Sequence, residues 1–460
     1  MNNIIKRMWK RLLTIIPSKK QQENTNVITT IQQCEKNLST HDTHDVLVKS
    51  ILENELNRQT TSLNLITSEN LVSKAVFKIN SNIFINKCTV GYPGGRYYGG
   101  CEFVDELEKE AINRAKCLFK CKYANVQPHS GSQMNQAVML ALLSSGDTIM
   151  GMDQKYGGRF THGSVVHISG MWLKYISYGI DLKTGLIDMN EVLNVAVKYR
   201  PRFIIAGSSS YPRTIDWKAF KQVADESDSF LFADISHIAG LIVTGLHPSP
   251  IEYCDVVTTT THRSLRGPHG GLILSNNQEL FDRISCSLFP EIQSGPMISV
   301  IAAKAMAFFE AQQDDYKTLT KSVIENAKTM VERLKIKGIN VISNGTDNHL
   351  VIIDLKALGI VDEQVASWFN RCRIIVNKNT TSKDKSLTNS SANIISVLRL
   401  STCACTSRGL KKEDFEKIAD MIADGLLEIK DKGKLSPLLE TTIKTQVLNI
   451  TNKYPIDYNV

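Results

Sequence analysis

Three short segments hold the side chains whose types and spacing could do chemistry. In Val126-Gln127-Pro128-His129-Ser130-Gly131-Ser132-Gln133, an apolar strand ends, a Ser-Gly-Ser turn follows, and a helix is expected over 133–144. Free backbone N–H groups, two hydroxyls and the positive end of the helix dipole would converge there on an anion. The same letters also read as a capping serine with a turn glycine. In Phe230-Leu231-Phe232-Ala233-Asp234-Ile235-Ser236-His237, a carboxylate stands at the C-terminal end of an apolar strand, where open α/β sheets bind ligands. A buried aspartate needs a cationic or hydrogen-bonding partner. The third segment, Val256-Val257-Thr258-Thr259-Thr260-Thr261-His262, would bring hydroxyls and an imidazole to the same edge.

Such side chains need a sheet to hold them in register. From residue 43 onward the pattern alternates helix and strand. It predicts helices over 44–57, 72–87 and 101–119, and strands over 123–126, 148–152, 203–206, 230–233, 256–260 and 271–274. Apolar runs of this length between helices predict a largely parallel sheet covered on both faces, hence an α/β fold. A helical stretch over 296–334, broken near 312–315, leads into a smaller α+β domain. There the pattern predicts strands at 339–342, 350–353 and 397–401 and helices at 361–372 and 411–430. The large domain is expected over 41–320, the small one over 321–450 and a tail over 451–460. Phosphate cradle, strand-end aspartate and Thr/His strand, in that order, suggest pyridoxal-phosphate chemistry. The aspartate would hold the ring nitrogen.

Charge narrows the partners. Of the net +8, six charges (Lys6, Arg7, Lys10, Arg11, Lys19 and Lys20) precede the first acid, Glu23, which leaves +2 for the other 438 residues. A nearly neutral body argues against nucleic acid, and no RNP-like motif occurs. On a helical wheel Ile4, Ile5, Met8, Trp9, Leu12, Leu13, Ile15 and Ile16 fill one side and the basic residues the other. With the polar stretch to residue 40, this predicts a presequence and linker, most simply for the mitochondrial matrix. A membrane-surface helix and a solvated arm are the alternatives. No apolar run is long enough to span a membrane. The ten cysteines lack CxxC or zinc spacing and read as reduced thiols, and no metal site is expected. The Gly-rich 91–100 segment is not a P-loop, because no GK[ST] follows it.

Seven segments, in order, resemble serine hydroxymethyltransferase: Leu65-Ile66-Thr67-Ser68-Glu69-Asn70, Gly91-Tyr92-Pro93-Gly94-Gly95-Arg96-Tyr97-Tyr98-Gly99-Gly100, Gln127-Pro128-His129-Ser130-Gly131-Ser132, Ala233-Asp234-Ile235-Ser236-His237-Ile238-Ala239-Gly240, Thr258 to His262, Asn377-Lys378-Asn379-Thr380 and Leu398-Arg399-Leu400. The resemblance covers roughly 45–430. It implies a fold-type-I pyridoxal-phosphate transferase, aspartate-aminotransferase-like, that converts serine and tetrahydrofolate to glycine and 5,10-methylenetetrahydrofolate. It places cofactor contacts at Ser130, Gly131, Ser132, Ser209, Asp234, His237 and His262, and the amino-acid carboxylate among Ser68, Tyr98 and Arg399. It also implies a homodimer or tetramer, with Tyr98 and the 293–296 turn acting across the subunit boundary.

The chain departs from that pattern at the chemical centre. Arg263 stands where the family has its Schiff-base lysine, and a guanidinium stays protonated near neutrality. Val90 replaces the acid/base glutamate, Cys88 a pocket tyrosine, and Arg159 the histidine that stacks on the ring. Ser294, His269, Val397, Ser401 and Cys403 depart further. Lys155 and Lys87 are the candidates for a substitute amine, each with a plain reading as a solvent-facing lysine. These changes predict severely reduced or absent turnover, with pyridoxal phosphate bound non-covalently at most and tetrahydrofolate a possible co-substrate. The alternative is a non-catalytic partner or regulatory subunit, forming a heteromer with an active paralogue.

Overall fold

The computed structural model describes residues 45–360, 362–377, 396–456 and 458. The presequence-like segment, Cys34 and Lys378-Asn379-Thr380 lie outside the described residues. The chain divides into two units, Met1–Asn57 and Arg58–Val460. At the described end of the first, Asp45 accepts from the N–H groups of Leu47 and Val48 at 3.0 and 3.1 Å and starts a helix, Val46–Thr60, none of whose residues is buried.

The second unit is built on seven strands: β1 Tyr123–Asn125, β2 Thr148–Met152, β3 Lys174–Tyr178, β4 Phe203–Ala206, β5 Phe230–Asp234, β6 Val256–Thr260 and β7 Gly271–Ser275. Their order is β1-β7-β6-β5-β4-β2-β3. All neighbours are parallel except that β7 runs antiparallel to β1 and β6. Alternation along the strands explains the layers. Met150, Ile204, Ala206, Leu231, Ala233, Val257 and Leu272 join a core on one face, under the helices Glu102–Phe119, Trp217–Ser227 and Ile298–Ala311. Ile149, Phe203, Ile205, Phe232, Val256 and Ile273 join a second core under Gly131–Leu142 and Gln278–Cys286. Each fully buried phenylalanine contributes roughly 2 to 3 kcal/mol of transfer free energy.

A third core gathers around Leu350–Asp354, paired antiparallel with Val397–Ser401 and covered by Lys412–Lys432 and Pro437–Lys453. The helix Asp314–Ile336 serves two cores. It gives Ile324 to the first and Ala327, Met330, Val331 and Leu334 to this one. Leu63 and Leu65, from the start of the unit, also belong here, because Leu63–Asn64 pairs with Ile374–Ile375.

Two expected elements differ. At 339–342 there is a single bridge, Val341 to Ile353, and then a 3-10 turn, Ile342–Asn344, where Ser343 and Asn344 take φ of 57° and 53° and end the pairing. The helix expected over 72–87 breaks in two. Ser73 caps Lys74–Asn80 and Asn82 caps a 3-10 turn, Ile83–Asn86.

Candidate active site

β5 delivers Asp234, 2% exposed, to the sheet edge. Its Oδ1 accepts from the Ser236 backbone N–H at 3.1 Å and Oγ at 2.6 Å. Its Oδ2 accepts from Asn135 Nδ2 at 2.9 Å, faces His162 Nε2 at 3.1 Å and pairs with Arg159 Nη1. Asn135 lies on Gly131–Leu142 and is held by Thr258 Oγ1 at 2.9 Å, so β6 acts on Asp234 through it. Burial alone would raise the Asp234 carboxyl, but Arg159, then His162 and Ser236, hold it well below the usual carboxylate range. His162 is fully buried and its pKa is lowered by that burial, so it stays neutral at physiological pH with Nδ1 unpartnered.

A tight turn aims Arg159. Gly157 has φ of +114°, and a Cβ on Gly158 would stand 1.9 Å from the Met152 carbonyl oxygen, so only glycine lets the chain lie against β2. Ser209 clamps the turn, its Oγ donating to the carbonyls of Gly157 at 3.1 Å and Gly158 at 3.3 Å. Arg159 also donates to Ser236 Oγ at 2.9 Å.

Past β6, Arg263 donates through Nη1 to His237 Nε2, and its own carbonyl accepts from Asn70 Nδ2 at 2.9 Å. Burial, then Arg159, presses Arg263 down to about 9, so it is still a cation at pH 7. Its Nε has no partner. His237, 3% exposed, is held well below its usual value by burial and then by Arg263, and stacks on His349 at 5.9 Å and 9°. His262 stacks on His269 at 3.6 Å and 12°. Burial, then His269, lowers His262 to about 3.

The cradle residues take ordinary backbone roles. Ser130 caps Gly131–Leu142, accepting from Gln133 N–H at 3.2 Å, and Ser132 is exposed. Gly131 is packed so tightly that a Cβ would meet Thr260 Cγ2 at 2.6 Å. On the strand Val397–Ser401, Arg399 reaches Ser210 Oγ at 3.4 Å and keeps a buried, unpartnered Nε, a donor free for a carboxylate. Among the described residues neither Ser68 nor Tyr98, 53% exposed, bonds to it. Val90 places a hydrocarbon side chain where the resemblance puts an acid/base group, and only its carbonyl bonds, to Tyr97 N–H at 3.1 Å.

Sequence reasoning missed the partners of Asp234, namely Asn135, His162 and Ser236. It also missed Lys304, whose Nζ donates to the carbonyls of Val126, Pro128 and Gly271 at 2.6, 3.0 and 2.9 Å and fixes the turn into the cradle. The only usable signal was that a buried aspartate must find donors. Lys155 is exposed, 3.7 Å from Asp153, and Lys87 bonds the Gly99 carbonyl at 3.1 Å, so neither amine is directed at Asp234. Beside Asp234 and His237 the cavity measures about 10 Å³, at the lower limit for one water. A cavity of about 420 Å³ lies elsewhere, among Asp414, Lys417 and Lys453. Its size does not make it the site, since none of the sheet-edge residues lines it.

The chain matches the serine hydroxymethyltransferase family model over residues 41–422. It is 47% identical over 412 residues to the serine hydroxymethyltransferases of Prochlorococcus marinus strains NATL1A and NATL2A, covering 90% of this chain and 98% of each relative. The chain belongs to the serine hydroxymethyltransferase family. Its fold is that of the fold-type-I pyridoxal-phosphate transferases, and it is a homologue of an enzyme of one-carbon metabolism. Family members use pyridoxal phosphate and tetrahydrofolate and assemble as dimers or tetramers. The residues present here do not fit the cofactor contacts that the resemblance implies. Arg159 already pairs with Asp234, the carboxylate that the resemblance assigns to the ring nitrogen, and Arg263, where the resemblance implies an amine, donates to His237.

Proposed function

We propose that this serine hydroxymethyltransferase homologue converts serine and tetrahydrofolate very slowly or not at all. The observation that carries the reading is Arg263, a buried guanidinium donating to His237 where the family reaction needs a neutral amine. Val90 adds to it, since a hydrocarbon can move no proton. The test is turnover of the purified chain with serine and tetrahydrofolate beside an intact relative, and a comparable rate defeats the proposal.

A second reading, a non-catalytic partner or regulatory subunit of an active hydroxymethyltransferase, is favoured by the apolar surface kept on the segment that acts across subunits in the family. Tyr97, Tyr98 and Phe103 are 72%, 53% and 65% exposed. Co-expression with an active relative decides it. A co-purifying heteromer with altered activity supports it, and two separate species with unchanged activity refute it. We place the protein in the mitochondrial matrix on the basic amphipathic pattern of its first residues. A reporter fused after residue 40 should reach the matrix, and one that stays cytosolic overturns that assignment.

A further inference from the structure

The Arg159 guanidinium reaches two groups that a phosphorylated pyridine ring would have to bridge. One end pairs with Asp234 and donates to Ser236. The other, Nη2, lies 3.1 Å from where a Cβ on Gly131 would stand, at the N-terminus of the helix meant for the phosphate. Asp234 has nothing left to offer: a carboxylate has about four lone-pair sites, and here Ser236 N–H, Ser236 Oγ, Asn135, His162 and Arg159 all converge on it.

We propose that Arg159 is a built-in occupant of the cofactor site. Its planar guanidinium supplies the cation that Asp234 would otherwise take from the pyridoxal-phosphate ring, and the chain therefore excludes the cofactor even as a non-covalent ligand. This goes beyond lost turnover, because a chain without the lysine could still hold the ring. The competition favours the side chain. The Gly157-Gly158 turn, clamped by Ser209, keeps Arg159 on its target, whereas a free ligand must displace a partner with a high effective concentration.

The experiment titrates the purified full chain with 4-deoxypyridoxine 5′-phosphate, which lacks the aldehyde and so cannot label surface lysines. Wild type, Arg159→His and Arg159→Ala are compared by calorimetry and by ligand-induced rise in Tm. Wild type is expected to give no saturable binding and no Tm rise, and each Arg159 variant to bind at least about tenfold more tightly. Arg159→Ala strands Asp234 without a cation and can fail to fold; Arg159→His keeps a donor there. A dose-dependent Tm rise in the unmodified chain, or equal affinity in wild type and Arg159→His, overturns the proposal. Binding without turnover sinks this inference alone and leaves the catalytic reading standing.

Discussion

Asn70 donates its side-chain amide to the backbone carbonyl of Arg263 at 2.9 Å, across 193 positions of sequence. The main chain at residue 263 is therefore fixed by a contact that does not involve the Arg263 side chain, and the side chain can be exchanged without losing that anchor.

Arg263→Lys alone should fold and remain at background turnover, since Asp234 is still paired with Arg159 and Val90 still moves no proton. Adding Val90→Glu and Arg159→His should raise kcat by at least about a hundredfold over the single variant, the lower range for a restored acid/base group. Steady-state kinetics with serine and tetrahydrofolate measure it. Equal rates for the single and triple variants contradict the roles assigned to Val90 and Arg159.

His349 is 1% exposed with both ring nitrogens unpartnered, and burial, then Arg263, lowers it to about 3. In the unfolded chain an imidazole takes its proton near 6.5. Between those values the unfolded state binds more protons, so stability should fall with falling pH by up to about 1.4 kcal/mol per pH unit from this group. Above 6.5 the effect vanishes. Urea midpoints at pH 7, 5.5 and 4.5 for wild type and His349→Gln test this: the variant should lose part of the slope, and parallel curves dispose of the claim.

Lys304→Met should destabilise by about 3 kcal/mol, because it removes a buried donor from the carbonyls of Val126, Pro128 and Gly271, although Pro128 keeps the Gly271 N–H at 2.9 Å. Burial presses the ammonium down to about 7, against the opposing pull of the Glu108 carboxylate. Chemical denaturation gives the number. A loss under about 0.5 kcal/mol, the range of ordinary surface changes, means that the turn holds without it.

Gly158→Ala puts a methyl 1.9 Å from the Met152 carbonyl oxygen, so the turn must move. We expect a loss of about 2 kcal/mol, typical of overpacking. The Arg159–Asp234 pair should loosen with it, which quenched-flow hydrogen exchange at Ser236 N–H would report. Wild-type protection there is the contrary result.

Much of the sheet was legible because buried parallel strands are short apolar runs, as in Phe203-Ile204-Ile205-Ala206. β3, Lys174-Tyr-Ile-Ser-Tyr, was missed: as an edge strand it carries polar residues that blur the pattern. The helix Pro437–Lys453 was missed because its threonines and asparagines dilute any apolar stripe. Ile339 to Ile342 looked like a strand from its apolar letters, yet the left-handed residues after it stop the pairing. Asp234 could be chosen from its strand-end position, and Arg159 could be seen as a departure, but their contact depends on how β2 and β5 lie together. No local spacing encodes a pair 75 positions apart.

The Arg159–Asp234 pair also bears on how the protein is made. A buried carboxylate whose counter-ion arrives by diffusion gives a fold whose stability follows the concentration of that ligand. Here translation itself delivers the counter-ion, so the yield of folded chain should not track vitamin B6 supply, and a nascent molecule can mature in a cell starved of it.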